Sequence, residues 1–143
     1  MEGNKVTHVS SKITIHAPFE AIWQVISDFG AAGQYLAGII NTTIEGEGVG
    51  ALRTLTHADG STIFERLDAL DATDHRLSYA LLTDTPFRDC LTTLVVYDLG
   101  LTQAELVWSV TFEADGLPVS EAVDLLEGAL AENCLALKQF LDG

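Results

Sequence analysis

Positive charge is what this chain lacks most. Seven Lys and Arg stand against 21 Asp and Glu, a formal net charge of −14. From Asp89 to the C-terminus the only basic residue is Lys138, and residues 31–47 contain none. Such a surface repels phosphate backbones and anionic headgroups, so nucleic acid is not an expected partner. Cysteine is scarce too: Cys90 and Cys134 stand alone, with no CxxC. That excludes a disulfide scaffold or a zinc knuckle; both read as small buried hydrophobes in a reducing cytoplasm. His8, His16, His57 and His75 show neither HxH nor HExxH spacing, so no metal is expected. No run approaches the ~20 apolar residues of a membrane span. The opening MEGNKVTHVSSK has neither a basic nor an apolar leader region, so no signal peptide is expected. There is no P-loop, no readable Ser/His/Asp set and no dinucleotide fingerprint. Gly46, Gly48 and Gly50 form a loose GxGxG, but they join two strands and open no helix. No cofactor is expected.

What is present is apolar surface. Hydrophobic residues make up 48% of the 143, and mean hydropathy is +0.25. One domain over 1–143 with much inward-facing surface fits those values. Residues 5–16 read as a strand, with Ile13 and Ile15 on one face. Ala17-Pro18 opens a helix whose apolar side is Ala21, Ile22, Val25, Ile26 and Phe29, and whose Trp23 is a packing anchor. Asp28-Phe29-Gly30 ends it, and a short helical piece follows over 31–36. Six strands come next, at 39–46, 50–57, 61–70, 75–83, 89–99 and 104–113. Leu106, Trp108, Val110 and Phe112 form a strict period-2 face, and Leu77, Tyr79 and Leu81 another. Residues 118–141 read as a long helix of roughly 36 Å. Its stripe runs Val119, Val123, Leu126, Leu130, Asn133, Leu137, Phe140. Strands in a run with helices at the ends mean α+β: a curved seven-stranded antiparallel sheet around the long C-terminal helix.

The hairpin over 48–71 carries the chemistry. A three-residue turn, Ala58-Asp59-Gly60, with Gly60 in the left-handed region, sets His57 opposite Ser61 and Arg53 opposite Glu65. A two-residue turn would oppose Arg53 to Arg66, which costs energy, so the first register is expected. Leu55, Ile63 and Leu67 share these strands. An ion pair among them needs a solvating environment, and a wet internal cavity is the natural candidate.

The order of these motifs resembles the START-like, or helix-grip, superfamily (SRPBCC), in its polyketide cyclase/dehydrase-like branch. The likeness spans about residues 6–141. It is carried by Ile15-His16-Ala17-Pro18-Phe19-Glu20-Ala21-Ile22-Trp23 and Asp28-Phe29-Gly30. Gly48-Val49-Gly50-Ala51-Leu52-Arg53, Asp59-Gly60, Glu65-Arg66-Leu67, Asp71, Tyr79 and Val107-Trp108 complete it. The resemblance implies a hydrophobic cavity between sheet and C-terminal helix, but no single function, since the fold hosts carriers, receptors and enzymes. By similarity to the plant hormone receptors of this group, Arg53, Leu55, Ile63, Glu65 and Tyr79 would line it, with Cys90, Thr92, Trp108 and Asn133. The helix stripe adds Leu130 and Leu137. The receptors' ligand-anchoring lysine has no counterpart here, and their gate loop is shortened to His57-Ala58-Asp59-Gly60-Ser61. Hormone sensing by that gate is not expected.

Several residues read two ways. Arg53 and Glu65 form either a polar floor that orients a ligand or moves its proton, or a structural pair that fixes register. Tyr79 and Trp108 are cavity wall or plain core. Asn133 needs partners from a ligand, a water or a neighbouring carbonyl. His57 reads as a surface residue at the turn mouth. The leading reading is a binding protein for a mid-sized hydrophobic or aromatic molecule bearing oxygen, such as a polyketide, lipid or isoprenoid. An anion is disfavoured by the surface charge, although Arg53 could hold one carboxylate inside. The runner-up is a cyclase or dehydratase using Arg53, Glu65 and Tyr79 as candidate catalytic groups. A third is an interaction module. Ala122, Leu125, Ala129 and Ala136 on the second side of the long helix would suit a dimer seam, so the chain is expected to be a monomer or weak homodimer.

Overall fold

The computed structural model describes residues 6–142. Strand β1 (Thr7–Ile15) leads through helix α1 (Phe19–Ser27) and a 3-10 helix (Phe29–Gln34) into six strands. These are β2 (Ile39–Glu45), β3 (Leu52–His57), β4 (Thr62–Asp71), β5 (Arg76–Leu81), β6 (Phe87–Asp98) and β7 (Ala104–Ala114). Helix α2 (Val119–Asp142) closes the chain. Lys5, the expected start of the first strand, lies outside the described residues. The strands form one antiparallel sheet in the order β1-β7-β6-β5-β4-β3-β2, so β1 crosses over to pair with the last strand and β2 is left as an edge. No helix among the described residues is long and apolar enough to cross a membrane.

The α+β helix-grip architecture therefore stands as the alternation implied. Leu77 and Tyr79 of β5 are buried, as are Leu106, Trp108, Val110 and Phe112 of β7. Side chains on alternate positions of a strand share a face. The register links Leu67, Tyr79, Thr92, Val110 and Val9 into one row across five strands. Bulges in β4 between Leu67 and Ala69, and in β6 between Arg88 and Leu91, interrupt the ladders. Such insertions bend a strand and steepen its twist.

Two boundaries differ from the sequence expectation. Helix α1 stops at Ser27 because Asp28 takes an extended conformation (ψ 90°), and the 3-10 helix starts at once, two residues before the expected Ala31. The buried face of α2 is also rotated. Leu130 and Leu137 are buried, but so are Ala122 and Cys134, while Val119 and Phe140 at the stripe's ends are exposed. Helix α2 packs chiefly on β1 and β7, and this off-centre seat favours the Ala122–Cys134 side. The expected dimer seam is thereby divided: Ala122 faces its own core, whereas Leu125 is 56% exposed.

Candidate functional site

The β3–β4 hairpin closes as a three-residue turn. The His57 N–H donates to the Ser61 carbonyl at 2.9 Å, and Gly60 has a φ of +89°, which only glycine adopts without strain. Asp59 Oδ1 accepts from the Ser61 N–H at 2.8 Å and from its hydroxyl at 2.6 Å. Arg53 consequently faces Glu65. Its Nε donates to Glu65 Oε1 at 2.8 Å, Nη2 lies 2.7 Å from the same oxygen, and Nη1 donates to the Phe29 carbonyl at 3.2 Å. The guanidinium carbon sits 4.0 Å from the centre of the Phe29 ring and 4.5 Å from that of Tyr79. All three nitrogens are engaged, two aromatic rings lie against the guanidinium, and Arg53 is 3% exposed. Its polar contacts are all within the protein, and it does not line the neighbouring pocket.

A buried ion pair must be matched by hydrogen bonds, or desolvation outweighs the attraction. Here Phe29 and Glu65 supply acceptors and the rings add cation–π contact. Burial raises the Glu65 carboxyl above the ordinary range, with Arg53 pulling it back only in part. Burial likewise raises the Tyr35 hydroxyl, with the Arg53 charge pulling it back in part. The Tyr79 hydroxyl is raised by burial first and by the Glu65 charge second, so it stays protonated.

Beside this centre lies a pocket of about 280 Å³. The sheet gives it Leu55, His57, Ile63, Glu65 and Tyr79. The segment entering β2 gives Leu36, Ala37 and Ile39, and α2 gives Ala129, Glu132 and Asn133. The Asn133 Oδ1 accepts from the Ala37 N–H at 3.1 Å, tying that segment to the helix. His57, Asp59 and Ser61 also border a surface hollow outside the turn. A second hollow, about 350 Å³, lies on the outer face of β2–β4 between Thr43, Glu45, Leu52, Phe64 and Leu82. Thr54 and Arg53 complete its lining, but Arg53 is its one buried member and is turned to Glu65, so the pocket that Glu65 itself lines is the better candidate.

Five of the residues singled out from sequence meet at the inner pocket: Leu55, Ile63, Glu65, Tyr79 and Asn133. Arg53 lies against Glu65 and Tyr79 without lining it. Trp108 is 2% exposed. Thr92, paired with Tyr79, and Cys90 are buried; burial, then the Glu65 charge, pushes the Cys90 thiol up to about 11. Leu130 and Leu137 are buried core. Trp23 packs edge-on against His75 with ring centres 5.4 Å apart. No group of three or more His, Cys, Asp or Glu among the described residues could hold a metal.

Sequence reasoning missed Tyr35, the 36–39 wall, Ala129 and Glu132 as site elements, and saw Phe29 only as a helix-face residue. The segment 31–38, AAGQYLAG, has no periodicity to place it. Its one signal is a lone Tyr35 that, once buried, needs a hydrogen-bond partner.

Residues 6–142 match the family model described as polyketide cyclase / dehydrase and lipid transport. No curated protein matches the chain. Among solved structures, a protein of Bacillus thuringiensis is 27% identical, with a TM-score of 0.87 over 95% of this chain and 100% of that one. The protein XoxI of Bacillus cereus is 26% identical, with a TM-score of 0.86 over 94% and 95%. The Zhui aromatase/cyclase of a Streptomyces shares the fold at 21% identity, with a TM-score of 0.77 over 97% and 93%. With the model matched along nearly its whole length, the chain belongs to the polyketide cyclase / dehydrase and lipid transport family.

Proposed function

We propose that the protein binds a small, largely apolar molecule in the pocket between α2 and strands β3–β5. The observation that carries this reading is a pocket of about 280 Å³, lined by apolar and polar side chains in near-equal measure and laid against a buried charged centre. Ligand sites characteristically combine apolar walls with a few placed polar groups. Leu55, Ile63 and Ala129 are the wall; Glu65, Tyr79 and Asn133 are the anchors. The volume sits at the low end of the usual range of about 300–1,000 Å³. One or two rings fit it better than an extended polyketide.

Native mass spectrometry of the protein purified from its own host is the first test. A stoichiometric apolar adduct, displaced when Ile63→Trp fills the pocket, is the expected result. A bare mass, together with no methyl shift at Leu55 or Ile63 across an aromatic and lipid fragment set, would remove the binding reading.

A catalytic reading is supported by one feature. Glu65, with its carboxyl raised by burial, stands beside a protonated Tyr79 hydroxyl at the same pocket. A carboxylate so placed is suited to take a proton from a carbon next to a carbonyl, with the phenol donating to the oxygen. Turnover of a polyketone surrogate that disappears in Glu65→Gln while Tyr79→Phe retains binding would support it; equal turnover in both variants would remove it.

A further inference from the structure

The charge of the inner pocket is one-sided. Its walls carry two carboxylates, Glu65 and Glu132, and no Lys or Arg. The one neighbouring Lys or Arg, Arg53, is engaged at each nitrogen, lies against the Phe29 and Tyr79 rings and does not line the pocket. Both of its contacts with Glu65 end on Oε1, and among the described residues Oε2 has no hydrogen-bond partner. Glu132 is exposed at the rim. The Asn133 Oδ1 is already used by Ala37. An anion entering here would meet the exposed Glu132 carboxylate and then the buried Glu65, with the His57 imidazole as the one lining group able to become a cation. A cation would meet two acceptors with free lone pairs.

We infer that the pocket selects an apolar molecule carrying a single ammonium group, an aromatic or alkyl amine, whose charge lies against Glu65 Oε2 and passes Glu132 on entry. This deepens the binding reading above and rests on it. The amine's hydrocarbon part lies on Leu55, Ile63 and Ala129. Its ammonium supplies Glu65 with the second cation that Arg53 alone does not provide. Burial holds the Glu65 carboxyl above its ordinary range, and a cation at Oε2 reverses that by favouring the ionised form. The net charge of −14 acts in the same direction at long range, raising the local concentration of cations.

Three probes of matched shape decide the point: 2-phenylethylamine, 2-phenylethanol and phenylacetate. Binding to the full chain is followed by titration of methyl signals at Leu55 and Ile63, at about pH 8, where a free imidazole is uncharged. The amine is expected to bind at least about ten-fold tighter than the alcohol, as a charge-assisted hydrogen bond provides, and the acid weakest of the three. Alcohol as tight as amine, or acid tighter than either, overturns the ammonium assignment and leaves the pocket standing. No binding by any of the three overturns the pocket reading and the assignment with it. In Glu65→Gln the amine-to-alcohol affinity ratio is expected to fall to about one. Should that variant fail to fold, Glu132→Gln gives the second measure. A ratio reduced by a few-fold with a weaker dependence on added NaCl supports the assignment, and an unchanged ratio and salt dependence overturn it.

Discussion

Arg53 has no edge that faces water. Its stability rests on Glu65, the Phe29 carbonyl and two aromatic faces acting together. Removing one charge from such a pair leaves the other buried and unmatched, whereas removing both restores an apolar contact. Glu65→Leu is therefore expected to cost about 3–5 kcal/mol in urea unfolding. The double variant Arg53→Met with Glu65→Leu should recover most of that loss. Failure of the double variant to recover would mean that Phe29 and Tyr79 depend on the charge itself for their placement. The opposition of Arg53 and Glu65 was readable from the chain, because the turn residues and the like-charge cost of the other register both selected it. The aromatic enclosure was not. Phe29 reaches Arg53 across 24 positions of sequence, through a segment with no repeating pattern.

At the scale of elements, the tightest joint is between the 3-10 helix and β2. A Cβ at Gly33 would lie 2.6 Å from Thr42 Oγ1 and 3.5 Å from the Thr42 backbone nitrogen. The same Oγ1 is buried with no hydrogen-bond partner. These two facts give substitutions of opposite sign. Gly33→Ala overpacks the joint and should lower stability by about 1–3 kcal/mol. Thr42→Val removes an unsatisfied hydroxyl and should raise it by about 1 kcal/mol. Thermal unfolding of the two variants checks both, and a destabilised Thr42→Val would show that the hydroxyl is satisfied in solution. The strands themselves were legible where one face alternates, most clearly in β7, whose even positions from Ala104 to Phe112 are all buried. The seat of α2 was less so. Its apolar residues occupy more than one side, and only packing on β1 and β7 selects Ala122 and Cys134 over Val119 and Phe140.

For the whole molecule, the charge balance makes stability depend on pH in two opposing ways. The Asp142 carboxyl is lowered, first by its hydrogen bond from the Lys138 ammonium, a contact of 2.6 Å, and it also accepts from the His16 N–H. A lowered folded-state value gives stability that is present above the unfolded carboxylate range and lost as pH falls through the folded value. Glu65 is raised, so its contribution is present in acid and lost as pH rises through its folded value. Asp142→Asn should thus lower the melting temperature at pH 7 and cost progressively less in acid, as pH falls through the lowered folded-state value of the native carboxyl. An equal loss at pH 7 and in acid would assign the role of Asp142 to its bond with His16 rather than to its charge. The architecture was legible at this scale from element order alone. The pocket's modest size was not, since it depends on how the aromatic rings fill the space around Arg53.

The Asn133–Ala37 contact also governs time. It is the one hydrogen bond, among the described residues, between α2 and the segment that walls the pocket at 36–39. A neutral hydrogen bond contributes about 0.5–1.5 kcal/mol net. Parting that segment from the helix is therefore a frequent local event, far less costly than unfolding. A guest of the proposed pocket would then enter and leave without disturbing the sheet, its residence set by what it touches inside rather than by the door.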